Sequence, residues 1–366
     1  MTRPSDPAMR GSGASGNPLA RQFADEARRV ALALMAPGTS RVERQWAIAW
    51  IHERPAMEVA QGLVTDQLDQ LFLDAASANG LVAGLPARLV EVLAARKLQV
   101  VANVIRQEHV LGEACGVLDE FGVEHVVFKG ALLRTLVYTK PHLRPAVDVD
   151  ILVEPGSVPR VVRLFEQRGY GVSVAAHSDT HELSVTRQGV LIDVHRSLLR
   201  PGRMRTDITR EIVEARVRRG SLWGPGDAHL TVAMLVHPAI TDHVTGRLSS
   251  AMDLDLWIRG AAVPWAQAIA LLRRIGLRTA AWAMLAWTQA LFATPVPETV
   301  WRELAPGPLR RPYLEAWLRH HPARLYNRHP LLVRGTFSLA LQDRMGDAAR
   351  ALWMLARKDR VALDQV

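Results

Sequence analysis

The stretch that decides the fold runs from residue 123 to residue 153. It opens with Val123-Glu124-His125-Val126-Val127-Phe128, breaks at Lys129-Gly130, and closes on Val147-Asp148-Val149-Asp150-Ile151-Leu152-Val153. The first run is short, apolar and rich in β-branched residues, which predicts a strand. Ala131 to Tyr138 then carries helical spacing. The last run opens with apolar–acidic alternation and predicts a second strand. A period of two puts Asp148 and Asp150 on one face and Val147, Val149 and Ile151 on the other.

Working outward, Pro155 to Arg168 reads as a helix opened by Pro155-Gly156-Ser157 and ended by Gly169. Tyr170–Ala175, Glu182–Thr186 and Val190–His195 are three more expected strands, the last two joined at Gln188-Gly189. Residues 122–200 thus form a small α/β unit with a mixed sheet. Residues 19–121 are helical in pattern, with segments Leu19–Met35, Arg41–His52, Val64–Ala76 and Ala87–Glu120. Residues 201–366 turn helical again through Ala228–His243, Leu248–Ile258, Trp265–Ile275, Arg278–Phe292 and Pro297–Leu304, before a basic tail. Residues 1–18, rich in Gly, Ser and Pro, are expected to be a disordered tail. The fold class is α+β, a small mixed-sheet domain flanked by two all-helical regions.

Bulk composition narrows the function classes. The chain has 366 residues, 49% of them hydrophobic, and no apolar run of the roughly 18 residues that a membrane span needs. No secretory leader is visible, and the single cysteine, Cys115, excludes an internal disulfide and a Cys-rich metal site. A cytoplasmic protein with no membrane partner is expected, with Cys115 a buried, inert thiol. The net charge of +9 attracts nucleotides, nucleic acid or anionic lipid without telling them apart.

The chemistry lies in the carboxylates. Two aspartates on one strand face repel each other and resist joint desolvation unless a cation compensates. Oxygen ligands without a cysteine favour Mg²⁺ or Mn²⁺. Asp193 stands inside the apolar run Val190-Leu191-Ile192-Asp193-Val194, where a charge needs a reason. If that strand lies beside Val147–Val153, all three aspartates meet and can hold metal for displacement at phosphorus. Upstream, Gly130 between a strand and a helix lets backbone N–H groups approach a phosphate, and the helix dipole favours the anion. Lys129 and Arg144 could neutralise further phosphate charge. A lone Asp-x-Asp is common on solvated strand faces. Strand–Lys–Gly–helix, then Asp-x-Asp, then a third aspartate in another apolar strand, is a much rarer conjunction.

Other residues carry less. His195 shares the face of Asp193 and either orients a phosphate or the acceptor, or only bonds Asp193. Tyr138 reads as packing. His237 and His243 read as structural or pocket histidines, because their spacing does not place both on one helical face. Asp253 is expected to pair with Arg247 or Arg259. Trp257, Trp265, Trp282, Trp287, Trp301 and Trp317 are expected to pack helices together. A pocket is expected between the α/β unit and the C-terminal helices.

The segment FKGALLRTLVY, then DVDILVEPGSVPRVVRLFEQRGY, then LIDVHRSL resembles the polymerase-β-like nucleotidyltransferase superfamily. More narrowly it resembles an uncharacterised bacterial nucleotidyltransferase family with Lys-Gly, an Asp-Ile-Asp-Ile-Leu-Val strand and Val-Asp-Leu-His. The likeness is close over the central unit and looser over the later helices, and residues 1–80 do not contribute to it. It implies that the glycine turn binds a nucleoside triphosphate (NTP) and that Asp148 and Asp150 hold Mg²⁺. It also implies that Asp193 is a metal ligand or the base on the acceptor. Where the superfamily has Gly-Ser, this chain has Gly130-Ala131, and its gap from Gly130 to Asp148 is longer.

The implied activity is Mg²⁺-dependent transfer of a nucleoside monophosphate from an NTP to an acceptor, with a small molecule or peptide favoured over protein or RNA. The alternatives are a toxin-like enzyme acting on tRNA or protein, and a non-catalytic nucleotide-binding module. Lys129, Gly130, Arg144 and His195 form the expected phosphate side. Asp148, Asp150 and Asp193 form the expected metal side.

Overall fold

The computed structural model describes residues 26–35, 39–173, 182–244, 246–319, 335–337 and 339–363. The expected N-terminal tail, and residues 174–175 of the third expected strand, lie outside them.

The N-terminal helices are α1 (Glu26–Met35), α2 (Arg41–His52), α3 (Ala56–Thr65), α4 (Asp69–Ala78) and the long α5 (Ala87–Glu120). A capping box starts α2: Ser40 Oγ accepts from the backbone N–H of Glu43, and the Glu43 carboxylate accepts from the Ser40 N–H. Proline precedes both α3 and α5, presetting the backbone before the first turn. The single helix expected over Val64–Ala76 is in fact two. The chain turns between α3 and α4 through Gln67, which adopts a left-handed φ of 57°. Leu34, Ile51, Phe72, Leu89 and Leu93 form a local core between these helices.

The central sheet follows, from β1 (His125–Phe128), α6 (Lys129–Leu136), β2 (Asp148–Val153), α7 (Val158–Gln167), β3 (Gly171–Ser173), β4 (Glu182–Arg187) and β5 (Val190–His195). Its order is β1-β2-β5-β4-β3, mixed because β2 and β5 run parallel and the other neighbours antiparallel. The β4–β5 hairpin turns at Gln188 and Gly189 with φ of 50° and 73°, the doubly positive pair that a tight right-twisted hairpin requires. On the core side, Val149, Ile151, Ile192 and Val194 are buried, and α5 and α7 pack among the elements that cover them. Each such side chain contributes roughly 1.5–3 kcal/mol when taken from water. The sheet's other face carries Asp148, Asp150 and Asp193.

Downstream the chain is not purely helical, as the periodicity implied. After α8 (Thr209–Glu214) a short hairpin forms from β6 (Val217–Arg219) and β7 (Leu222–Gly224), and β7 lies against β1. Strands of three residues carry too little alternation to register as a pattern. Then come α9 (Asp227–Thr241), α10 (Leu248–Gly260), α11 (Trp265–Ile275), α12 (Arg278–Phe292), α13 (Glu298–Leu304), α14 (Arg310–Arg319) and α15 (Met345–Leu363). One apolar core runs unbroken from the sheet into α9–α14. Trp257, Trp282, Trp287 and Trp317 are buried in it, with Trp282 edge-on to Trp301. Among the described residues no helix is long and apolar enough to cross a membrane.

Candidate active site

Parallel pairing sets Asp150 opposite Asp193 and Leu152 opposite His195. The three aspartates therefore stand on one face of two adjacent strands, as their sequence positions implied. Their surroundings differ. Asp150 is buried, and its Oδ1 receives Lys129 Nζ at 2.7 Å and His195 Nε2 at 2.8 Å. Burial alone would raise this carboxyl, but the Lys129 ammonium and the His195 bond overcome it and hold Asp150 well below the usual carboxylate range. Asp148 is half-buried. Burial pushes it up, and the charges of Asp150 and Asp193 push it further, against a weaker pull from Lys129. Asp193, level with Asp150 on the neighbouring strand, is half-buried, and its Oδ1 accepts from Ser184 Oγ at 2.8 Å.

Lys129 reaches Asp150 because of its backbone. It sits at the junction of β1 and α6 with φ of 57°, a left-handed conformation uncommon in any residue with a Cβ. Such a conformation costs of order 1–3 kcal/mol and persists where its surroundings enforce it. Lys129 Nζ also lies 5.0 Å from the centre of the Phe128 ring. Gly130 follows with no left-handed φ. A Cβ there would meet Ala146 Cβ at 3.4 Å and Arg144 Nη2 at 3.6 Å, ordinary contact distances. Nothing in the protein's own packing demands glycine at this position. The space that a side chain would take belongs to the cavity in front of it.

That cavity holds about 550 Å³ and lies between the α/β unit and helices α9 and α10, where a pocket was expected. Lys129, Gly130, Arg144, Asp148 and Asp150 line one side, and His237, Thr241, Asp242, His243, Arg247 and Ser250 line the other. Both histidines reach it despite their six-residue spacing. Helix α9 continues through Pro238 to Thr241, and the chain then reverses through His243 and Val244 at φ of 55° and 68°. The turn, not the helix, brings His243 round beside His237.

Four expected roles change with the structure. Arg144 lines the cavity but is buried and committed: Nε donates to Asp253 Oδ1 at 2.8 Å, Nη2 to Asp253 Oδ2 at 2.9 Å, and Nη1 to Gln67 Oε1 at 2.6 Å. Asp253 thus pairs with Arg144 rather than with Arg247 or Arg259, and Arg259 takes Asp255 instead, 2.9 Å away. Tyr138 is more than packing, since its hydroxyl donates to Asp253 Oδ1 at 2.7 Å. His195 is 1% exposed and bonds Asp150 on the neighbouring strand, so it stands behind the carboxylate and not at the cavity surface. Cys115 is buried, and desolvation pushes its thiol up to about 12, as an inert core cysteine requires.

Gln67, Asp242 and Arg247 are the cavity residues that sequence reasoning missed or misassigned. Asp242 stood within the HPAITDH string, flanked by both noted histidines, and that proximity was the available signal. Gln67 had none, because it stands in an amphipathic helical stretch far in sequence from the aspartate motifs.

The carboxylates suit a hard divalent cation in part. Asp148 and Asp150 face the cavity together, and Asp148 is pushed up first by burial and then by the charge of Asp150, with Lys129 pulling the other way. Asp193 does not line the cavity, and among the described residues no three His, Cys, Asp or Glu side chains are gathered as a metal cage. Two carboxylates of this kind could hold a cation whose remaining positions are filled by other oxygen donors, which is the usual habit of Mg²⁺.

The family described as Uncharacterised nucleotidyltransferase matches residues 55–293, and the chain belongs to that family. The match takes in the whole sheet, the cavity and its helical wall, and begins earlier than residue 80, where the motifs give out. No curated protein matches the chain.

Proposed function

We propose that this nucleotidyltransferase moves a nucleoside monophosphate from an NTP to an acceptor in the cavity between β2 and α9–α10, with Mg²⁺ or Mn²⁺ held by Asp148 and Asp150. The observation that carries this reading is the shared strand face of those two carboxylates, opening onto a cavity that the Gly130 turn borders on the same side. When bound, the divalent cation would offset charge on the triphosphate and on the attacking oxygen.

The chain's own residues do the rest. The backbone N–H groups at the start of α6 face the phosphates, and Gly130 leaves them room. Lys129 supplies a cation beside Asp150. Asp193, paired in register with Asp150, adds negative charge behind the two ligands and so favours the cation over an empty site. In the transfer, a bond forms between the acceptor atom and the α-phosphorus. The bond from that phosphorus to the bridging oxygen breaks, pyrophosphate leaves with the bond's electron pair, and the acceptor's proton passes to solvent. A second cavity of about 640 Å³ shares Gln67, Ala146, Gly246 and Arg247 with the first and is also lined by Val147, the residue before Asp148.

The test is incubation with each α-labelled NTP, Mg²⁺ and a cell extract. Wild type should label a small molecule or peptide, and Asp150→Asn should not. Labelled tRNA or protein would instead identify the toxin-like alternative. Equal labelling by both forms, or none with any nucleotide, would remove the enzymatic reading and leave the nucleotide-binding module.

A further inference from the structure

A triphosphate brings about four negative charges into this cavity at neutral pH, so the supply of uncommitted cations is decisive. Among the described residues, Lys129, Arg144 and Arg247 are the lysine and arginine side chains that line it. Lys129 is held at Asp150. Arg144 is neutralised by Asp253, with both carboxylate oxygens taken by its fork and Nη1 spent on Gln67 Oε1 and the Pro145 carbonyl. Only one Nη2 hydrogen of Arg144 is left over, which cannot form the two parallel bonds that make arginine a good phosphate ligand.

Arg247 differs on every count. It is exposed, it immediately precedes α10, and among the described residues no carboxylate lies within ion-pairing distance of it. Its electrostatic neighbour is Asp242, on the turn that closes the cavity, and Asp242 also feels Lys129. Lys129 and Arg247 stand on opposite walls of the cavity, and Asp242 lies on the same wall as Arg247. The turn is built tightly enough to hold that arrangement. A Cβ on Gly246 would fall 2.5 Å from Asp242 Cβ, so only glycine permits the approach, and the Gly246 carbonyl is fixed by Arg28 Nη2.

We propose that Arg247, and not Arg144, is the arginine that receives the triphosphate, and that Asp242 is the resident anion with which the phosphates compete for it. Arg144 is a positioning residue: through Asp253 and Gln67 it shapes the cavity wall behind Gly130. The inference rests on the nucleotide-binding reading of this cavity and adds to it an assignment that the β1–α6 motif does not contain.

Two substitutions should act in opposite directions on one equilibrium. The probes are the four α,β-methylene nucleoside triphosphates with Mg²⁺ and the matching monophosphates, titrated against the full chain. Arg247→Gln should weaken the triphosphate that binds best by roughly tenfold or more, the range of a lost charge-assisted hydrogen bond, while changing monophosphate binding less than about twofold. Arg247→Lys should restore part of the loss. Asp242→Asn should tighten the same triphosphate about threefold, because it removes the competing carboxylate. Both positions border the cavity outside the core, and unchanged thermal unfolding would certify the fold. Unchanged triphosphate affinity in Arg247→Gln, or equal weakening of mono- and triphosphate, overturns the assignment while the wild-type titration keeps the nucleotide reading intact. If wild type binds none of the four, both fall together.

Discussion

Asp148 and Asp150 are two residues apart, share a strand face, and carry opposite energetic signs. Asp150 has a lysine and a histidine on the same oxygen. Its carboxyl is held low, so its charged form stabilises the fold. That contribution is complete above the ordinary carboxylate range and is lost as pH falls toward its depressed folded value. Asp148 is held high, so its charged form is a burden at neutral pH that disappears on acidification. The two isosteric substitutions should therefore diverge. Asp150→Asn should cost roughly 2–3 kcal/mol at pH 7, the scale of lost charge-assisted hydrogen bonds in a partly buried setting. Asp148→Asn should raise stability at pH 7, with the gain fading as the pH approaches 4. Both should abolish nucleotidyl transfer. Urea unfolding of the three proteins between pH 4 and pH 8 checks the signs, and destabilisation by Asp148→Asn at neutral pH would contradict this account of the carboxylate pair. A stabilising change that removes activity marks a residue kept for function rather than for folding.

At the scale of elements, the junction of β1 and α6 concentrates what the site needs in three residues. Phe128 ends the strand, Lys129 takes the left-handed turn, and Gly130 opens the helix. Glycine within a helix costs roughly 0.5–1 kcal/mol relative to alanine, and here neither backbone conformation nor packing requires it. Gly130→Ala should consequently unfold at the same or higher denaturant concentration than wild type while binding Mg²⁺·NTP several-fold more weakly. A loss of stability would mean that the glycine serves the fold. Unchanged nucleotide affinity would mean that the phosphates do not approach this turn. The junction was legible in the sequence because it is local: a β-branched run, a Lys-Gly break and a helical period follow one another within 15 residues. The bounds of α2, α5, β5, α11 and α12 were legible for the same reason. The break between α3 and α4 was not, since Gln67 takes its left-handed turn without glycine, asparagine or proline to announce it. Nor was the β6–β7 hairpin, whose strands are too short for a period to form.

At the scale of the whole molecule, the site's walls come from three parts of the chain, and a buried polar network joins them. Gln67 between α3 and α4, Tyr138 and Arg144 ahead of β2, and Asp253 on α10 meet through bonds spanning 77 to 115 residues of sequence. No local pattern can reveal contacts of that range, so the sequence alone shows neither the commitment of Arg144 nor the partner of Asp253. A second tie runs parallel to it: the Asp66 carboxylate accepts from Arg28 on α1 and from the backbone N–H of Leu248 at the start of α10. The Arg144–Asp253 pair is nearly inaccessible, with side-chain exposures of 8% and 4%, so its two charges were taken from water and are compensated only by each other and their neighbours. Removing one partner leaves an uncompensated buried charge, and Asp253→Asn or Arg144→Met alone should cost roughly 3–5 kcal/mol. Removing both should cost markedly less than the sum, because Arg144→Met with Asp253→Leu replaces two desolvated charges by apolar groups of similar size. Urea unfolding of the two singles and the double gives the coupling directly. An additive double would show that the pair is not one unit. A coupled double that folds well should still bind Mg²⁺·NTP poorly if Gln67 and Tyr138 lose their anchor, because the cavity wall behind Gly130 is positioned through them.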